Sequence, residues 1–115
     1  MARVPVVGQT FAFAWSVVSQ VDGNVYQANP TIAAGDFKRS INGGAFANLD
    51  NLPVVTPAAG KRIAFLISAA ETTAAGDGGE IYIVGSDAAG AEWQDRYVSL
   101  YVYGTDPDIA AMVVP

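Results

Sequence analysis

The chain has 115 residues, 51% of them apolar and only 15% charged, with eleven acidic against six basic side chains and a net charge of −5. That length holds one domain with one core, and the scattered Lys and Arg exclude a nucleic-acid binder, which needs clustered cations. Cysteine and histidine are absent, so thiolate chemistry, disulfides, soft-metal sites and imidazole acid–base catalysis are excluded together.

The N-terminus, "MARVPVVGQT", has neither the long apolar segment nor the cleavage site of a signal peptide, so the chain is expected to fold where it is made. No apolar run approaches a membrane span, and no membrane partner is expected. The low charge reads in two ways. Part of the surface is covered by something else, or the surface is simply alanine-rich and weakly polar.

Residues 10–18, "TFAFAWSVV", place Phe11, Phe13, Trp15 and Val17 at alternate positions, the period of a half-buried strand. Asp22-Gly23 then suits a hairpin turn pairing residues 17–21 with 24–27. Asn29-Pro30 breaks the ladder, since proline lacks the N–H. The stretch 35–49, "GDFKRSINGGAFANL", has the glycines of a phosphate loop but no Gly-Lys-Ser/Thr ending that opens a helix. It predicts a hairpin turning at Asn42-Gly43, with Phe37, Ile41 and Phe46 as core candidates and Arg39 opposite Phe46 in a two-residue loop, or with Gly44 extending the turn into a bulge.

"DNLPVVTPAAGKR" is a loop or edge segment punctuated by Pro53 and Pro57. "IAFLIS" (63–68) is a continuous apolar run, predicting a central strand buried on both faces. Ser68 and Glu71 match a capping box, so "SAAETTAAG" predicts one or two helical turns, stopped by Gly76, Gly78 and Gly79. "EIYIVG" (80–85) and "EWQDRYVSLYVYG" (92–104) are further strands, the last with Trp93, Asp95, Tyr97, Ser99, Tyr101 and Tyr103 on one face. The pattern predicts an all-β fold: an antiparallel β-sandwich of about seven strands with at most one short helix. A small barrel is the alternative.

Residues 1–9 form an apolar N-terminal arm, 10–106 the sandwich and 107–115 an apolar tail. The ends either cover the sandwich's own openings or dock on another subunit or a larger surface, and the low charge favours docking. The candidate contacts for such docking are Val4, Val6, Val7, Ile109, Met112, Val113 and Val114. Chemistry is sparse. Asp87, Glu92 and Asp95 beside Trp93 are the only candidates for a glycosidase-like carboxylate pair, and surface acids on turns are the ordinary outcome, so no catalytic residue is assigned. "AAGDGGE" (74–80) and "GTDPD" (104–108) are acidic, oxygen-rich loops that suit calcium, but the Asp-Gly is equally a turn signal, and neither a metal nor a cofactor is expected. Tyr97, Tyr101 and Tyr103 read as a sugar-stacking or protein-binding face, or as core or subunit-interface tyrosines.

The elements Gly35-Asp36-Phe37-Lys38, Gly43-Gly44-Ala45-Phe46-Ala47-Asn48-Leu49, Leu52-Pro53, Thr56-Pro57 and Asp87-Ala88-Ala89-Gly90-Ala91-Glu92-Trp93 carry a family resemblance over roughly residues 28–104. The chain resembles a β-sandwich domain common in tailed bacteriophages, found in tail-fibre or tailspike appendages and in small stand-alone virion proteins. The resemblance implies a structural or adhesive module and not an enzyme. A single domain with no shaft segment looks more like a capsid decoration (cement) protein, commonly trimeric. The expected partners are then further copies of itself in a homotrimer and the major capsid protein, with a host surface glycan as an additional ligand. The expected location is the outer capsid surface of a virion assembled in the host cytoplasm. The alternative is a tail-fibre or tailspike module for host recognition, binding a receptor or glycan through Trp93 and Tyr103.

Overall fold

The alternation beginning at Phe11 becomes β1 (Phe11–Trp15), whose aromatic rings turn inward while Ala12 and Ala14 turn outward. The structure, a computed structural model, describes residues 4–87 and 92–105. The chain continues through β2 (Phe37–Ile41), β3 (Ala47–Asn48), β4 (Val54–Val55), β5 (Ile63–Ile67), α1 (Ala69–Ala75), β6 (Glu80–Gly85) and β7 (Arg96–Tyr101). The strands form two antiparallel sheets, one ordered β1-β5-β4 and the other β3-β2-β6-β7. Among the described residues this is the expected all-β, sandwich-like arrangement, with seven strands and one short helix.

Two apolar clusters fill the interior. Val17, Phe37, Ile63, Phe65 and Trp93 make one, and Ile67, Ala75, Ile81, Ile83 and Val102 the other. Phe65 joins the sheets: it stacks on Phe13 at 4.7 Å within its own sheet and meets Phe37 of the other edge-on at 5.2 Å, the geometry that the ring quadrupole favours. Arg96 lies with its guanidinium 5.3 Å from the centre of the Trp15 ring, a cation–π contact at the end of the sandwich.

The capping box forms as read. Ser68 Oγ accepts from Glu71 N–H, while Glu71 Oε1 accepts from Ser68 N–H at 3.0 Å. The Glu71 carboxylate is buried, and its other oxygen accepts from Arg39 Nε. A buried charge is tolerated when it is paired and hydrogen-bonded, and here both conditions hold.

Several expectations are corrected. Residues 63–68 are not buried on both faces: Ile63, Phe65 and Ile67 point inward, but Leu66 is exposed. The strand expected over 92–104 is interrupted. Gln20 N–H donates to Glu92 O and Gln94 N–H to Val18 O, so Trp93 bridges Ser19 instead of joining β6. The β6 ladder begins only at Arg96, and the break resets the alternation: Trp93 faces the core and Tyr97 faces outward. The 17–27 hairpin is reduced to a single Val18–Tyr26 bridge, closed by an Asp22 side chain that accepts from Asn24 N–H.

The N-terminal arm is stitched to its own chain. Val7 N–H donates to Tyr103 O and Tyr103 N–H to Pro5 O, while Gly8 N–H donates to Thr72 Oγ1. Val6 is thereby 4% exposed. It covers the end of the sandwich and is not a free interface residue, because its amide neighbours complete the ladder that Tyr103 leaves open. Val4 and Val7 are half-buried, and Val7 packs against the second cluster.

Candidate binding face

The hairpin at Asn42-Gly43 decides what the outside of the four-stranded sheet looks like. Asn42 (φ 52°) and Gly43 (φ 76°) both take positive φ, and Gly44 N–H donates to Ile41 O at 2.9 Å, which is a type I′ turn. A plain two-residue loop would set Arg39 against Phe46. Instead Arg39 pairs with Ala47 and Lys38 with Asn48, so one extra residue is inserted after the turn. Ser40 Oγ holds this bulge by donating to Gly44 O at 2.7 Å. Since side-chain direction alternates along a strand, one added residue reverses the face. Ala47 takes the place opposite Arg39 at the exposed edge of the sheet, and Phe46 turns outward, 54% exposed. The expectation of Phe46 as core is therefore corrected, while Phe37 is buried and Ile41 partly buried as expected.

Once outside, Phe46 meets an aromatic row. Its ring centre lies 6.2 Å from Tyr82, and Tyr82 lies 6.1 Å from Tyr97. Tyr97 is 66% exposed, and Tyr101 also faces water. These tyrosines are not core residues of the chain. Beside the row is a cleft of about 290 Å³ lined by Gly35, Asp36, Lys38, Phe46, Val84 and Ser86. Lys38 and Val84 are cross-strand partners, as are Val84 and Tyr97, so one sheet face carries both ring row and cleft. Asp36 is nearly buried. Its backbone oxygen accepts from Ser86 N–H at 2.8 Å and its Oδ2 from Ala33 N–H at 2.9 Å.

The opposite outer face has a different character. In the three-stranded sheet the outward positions are Ala12 and Ala14 of β1, Ala64 and Leu66 of β5, and Val54 of β4. None can form an ion pair or a side-chain hydrogen bond. An antiparallel sheet with one face in water ordinarily alternates apolar-in and polar-out; this one is apolar on both faces.

The other residues singled out in the sequence are placed as follows. Trp93 is 2% exposed and stacked on Phe37, so it offers no surface for adhesion and that expectation is corrected. Tyr103 is partly exposed and bridged to Val6. Ile109, Met112, Val113 and Val114 lie outside the described residues. Asp87 Oδ2 accepts from Glu92 N–H, and Glu92 Oε1 accepts from Thr31 N–H; Asp95 is exposed. The loops containing Asp77 and Gly104 do meet, with Asp77 Oδ1 accepting from Gly104 N–H, while Asp106 and Asp108 lie outside the described residues. Among the described residues there is no group of three or more acids able to hold a metal ion, and no helix is long and apolar enough to cross a membrane.

No family model, curated protein or solved structure matches the chain.

Proposed function

We propose that this chain is a structural component of a bacteriophage particle: a trimeric capsid decoration (cement) protein that binds the outer capsid surface and stabilises the head. The observation that carries the reading is the outward face of the three-stranded sheet, where Ala12, Ala14, Val54, Ala64 and Leu66 present only apolar groups. Contiguous exposed apolar surface marks an interaction site, and a flat face of small side chains lets another backbone approach closely. The low charge of the whole chain and its resemblance to phage β-sandwich domains support the same role. In this reading the face and the apolar tail of residues 107–115 supply contacts to neighbouring copies and to the major capsid protein.

The test uses Leu66→Lys, which puts a charge on this face beside Ala12 without touching the core, and deletion of 107–115. Each is expected to abolish trimer formation or capsid attachment, read by sedimentation and by co-purification with decorated heads, with an unchanged circular-dichroism spectrum. Normal attachment by both variants overturns the proposal.

A second reading, a receptor- or glycan-binding module of a tail appendage, is favoured by the outward ring row Phe46–Tyr82–Tyr97. Localisation of the protein by electron microscopy to head or to tail separates the two.

A further inference from the structure

We infer that the cleft beside Phe46 is a binding site for a neutral oligosaccharide. The inference concerns the four-stranded sheet, not the apolar face of the other sheet, and it holds whether the chain sits on a head or on a tail.

Three observations carry it. The first is the bulge. An inserted residue, held by the Ser40–Gly44 hydrogen bond, turns Phe46 from the interior to solvent. A phenyl ring exposed in this way loses burial that a plain hairpin would give it, and bulges commonly re-aim side chains at functional positions. The second is the ring row, whose three members lie 6.2 Å and 6.1 Å apart and are tilted to one another by 59° and 36°. It is a corrugated aromatic surface and not a flat plate. Sugar rings have faces of weakly positive C–H groups, which sit well on the negative face of an aromatic ring.

The third is the polar equipment of the cleft. Lys38 supplies N–H donors, Ser86 a hydroxyl that both donates and accepts, and Asp36 a carboxylate. Among the described residues Lys38 makes no ion pair, and no hydrogen bond engages Asp36 Oδ1. Alternating donors and acceptors beside rings match alternating hydroxyls beside C–H faces. Charge selects within the class. Asp36 and Lys38 cancel locally, and the chain as a whole carries −5, so the field repels polyanionic glycans. At about 290 Å³ the cleft is at the small end for ligand pockets, which fits one sugar ring held within it and its neighbours lying along Tyr82 and Tyr97.

The experiment titrates the ¹⁵N-labelled full chain with cellohexaose, maltohexaose, mannohexaose and chitohexaose, and with a sialylated and a sulfated oligosaccharide for comparison. At least one neutral oligosaccharide is expected to shift the amides of Lys38, Phe46, Val84 and Ser86, with a dissociation constant of about 1 mM. Phe46→Ala and Tyr97→Ala, both at exposed positions, are each expected to weaken binding about tenfold with an unchanged melting temperature. Leu66→Lys, on the opposite face, is expected to leave the shifts as they are, so that loss of capsid attachment and loss of sugar binding are read separately. The inference is overturned by the absence of shifts at these amides with every neutral oligosaccharide at about 10 mM. It is equally overturned by tighter binding of the anionic ones, or by a wild-type self-association that Phe46→Ala and Tyr97→Ala abolish, which would make the face a contact between copies.

Discussion

Arg39 Nε donates to Glu71 Oε2 at 2.5 Å, tying the middle of β2 to the first turn of α1. The Glu71 side chain is fully buried and that of Arg39 is 20% exposed. Around them Glu71 also accepts from Ser68 N–H and, at 3.4 Å, from Asp50 N–H, while Asp50 lies 3.6 Å from the other end of the guanidinium. Removing one member of a buried pair leaves the other charged and unpaired. Arg39→Met is expected to lower the unfolding free energy by about 3 kcal/mol, with the two remaining amide donors keeping the loss at the low end for such pairs. Urea denaturation with an unchanged m-value checks this; a loss below that of an exposed ion pair would show that Glu71 is solvated in the native state.

Asn42 does more than turn the hairpin. Its Nδ2 donates to Ala75 O at 2.9 Å and its Oδ1 accepts from Glu80 N–H at 2.8 Å, so the turn residue staples the end of α1 to the start of β6. Asn42→Gly preserves the positive φ and removes both bonds. The expected cost is about 1–2 kcal/mol, although Gly-Gly is itself an acceptable pair for this turn. A neutral result in thermal unfolding would mean that the amide only fills space.

Gly85 and Gly43 separate two reasons for glycine. A Cβ at Gly85 would fall 2.4 Å from the Phe37 ring, whereas one at Gly43 would meet nothing. Gly85→Ala is expected to cost about 1–3 kcal/mol by forcing Phe37 out of its place in the core. Gly43→Ala is expected to cost only the strain of a positive φ, about 1 kcal/mol. Measured in parallel by chemical denaturation, the reverse order would contradict the packing of Phe37 against β6.

Trp93 is expected to act on stability and not on binding. Its ring stacks on Phe37 at 5.7 Å and its buried Nε1 makes no hydrogen bond among the described residues. Trp93→Ala is expected to cost about 3–5 kcal/mol, while Trp93→Phe, which removes the unpartnered donor and keeps a ring, is expected to cost under about 1.5 kcal/mol. Equal losses would indicate that the indole N–H has a partner in solution.

What the sequence determined by itself was local. Alternation at Phe11, Phe13 and Trp15, the Ser68–Glu71 box and the Asn42-Gly43 turn each depend on residues a few positions apart, and each appears where it was expected. The all-β class follows from the same short-range signals. The tertiary structure alone decided which way the rings face. One residue inserted after Gly43 turns Phe46 outward, and the departure of residues 92–94 to pair with 18–20 turns Trp93 inward relative to Tyr97. The doubled glycine after Asn42 was the visible hint of the first; nothing near Trp93 announced the second. Strand periodicity fixes only that neighbours face opposite sides. Which side is the interior depends on pairings between residues far apart in the chain, and a single irregularity reverses every assignment beyond it.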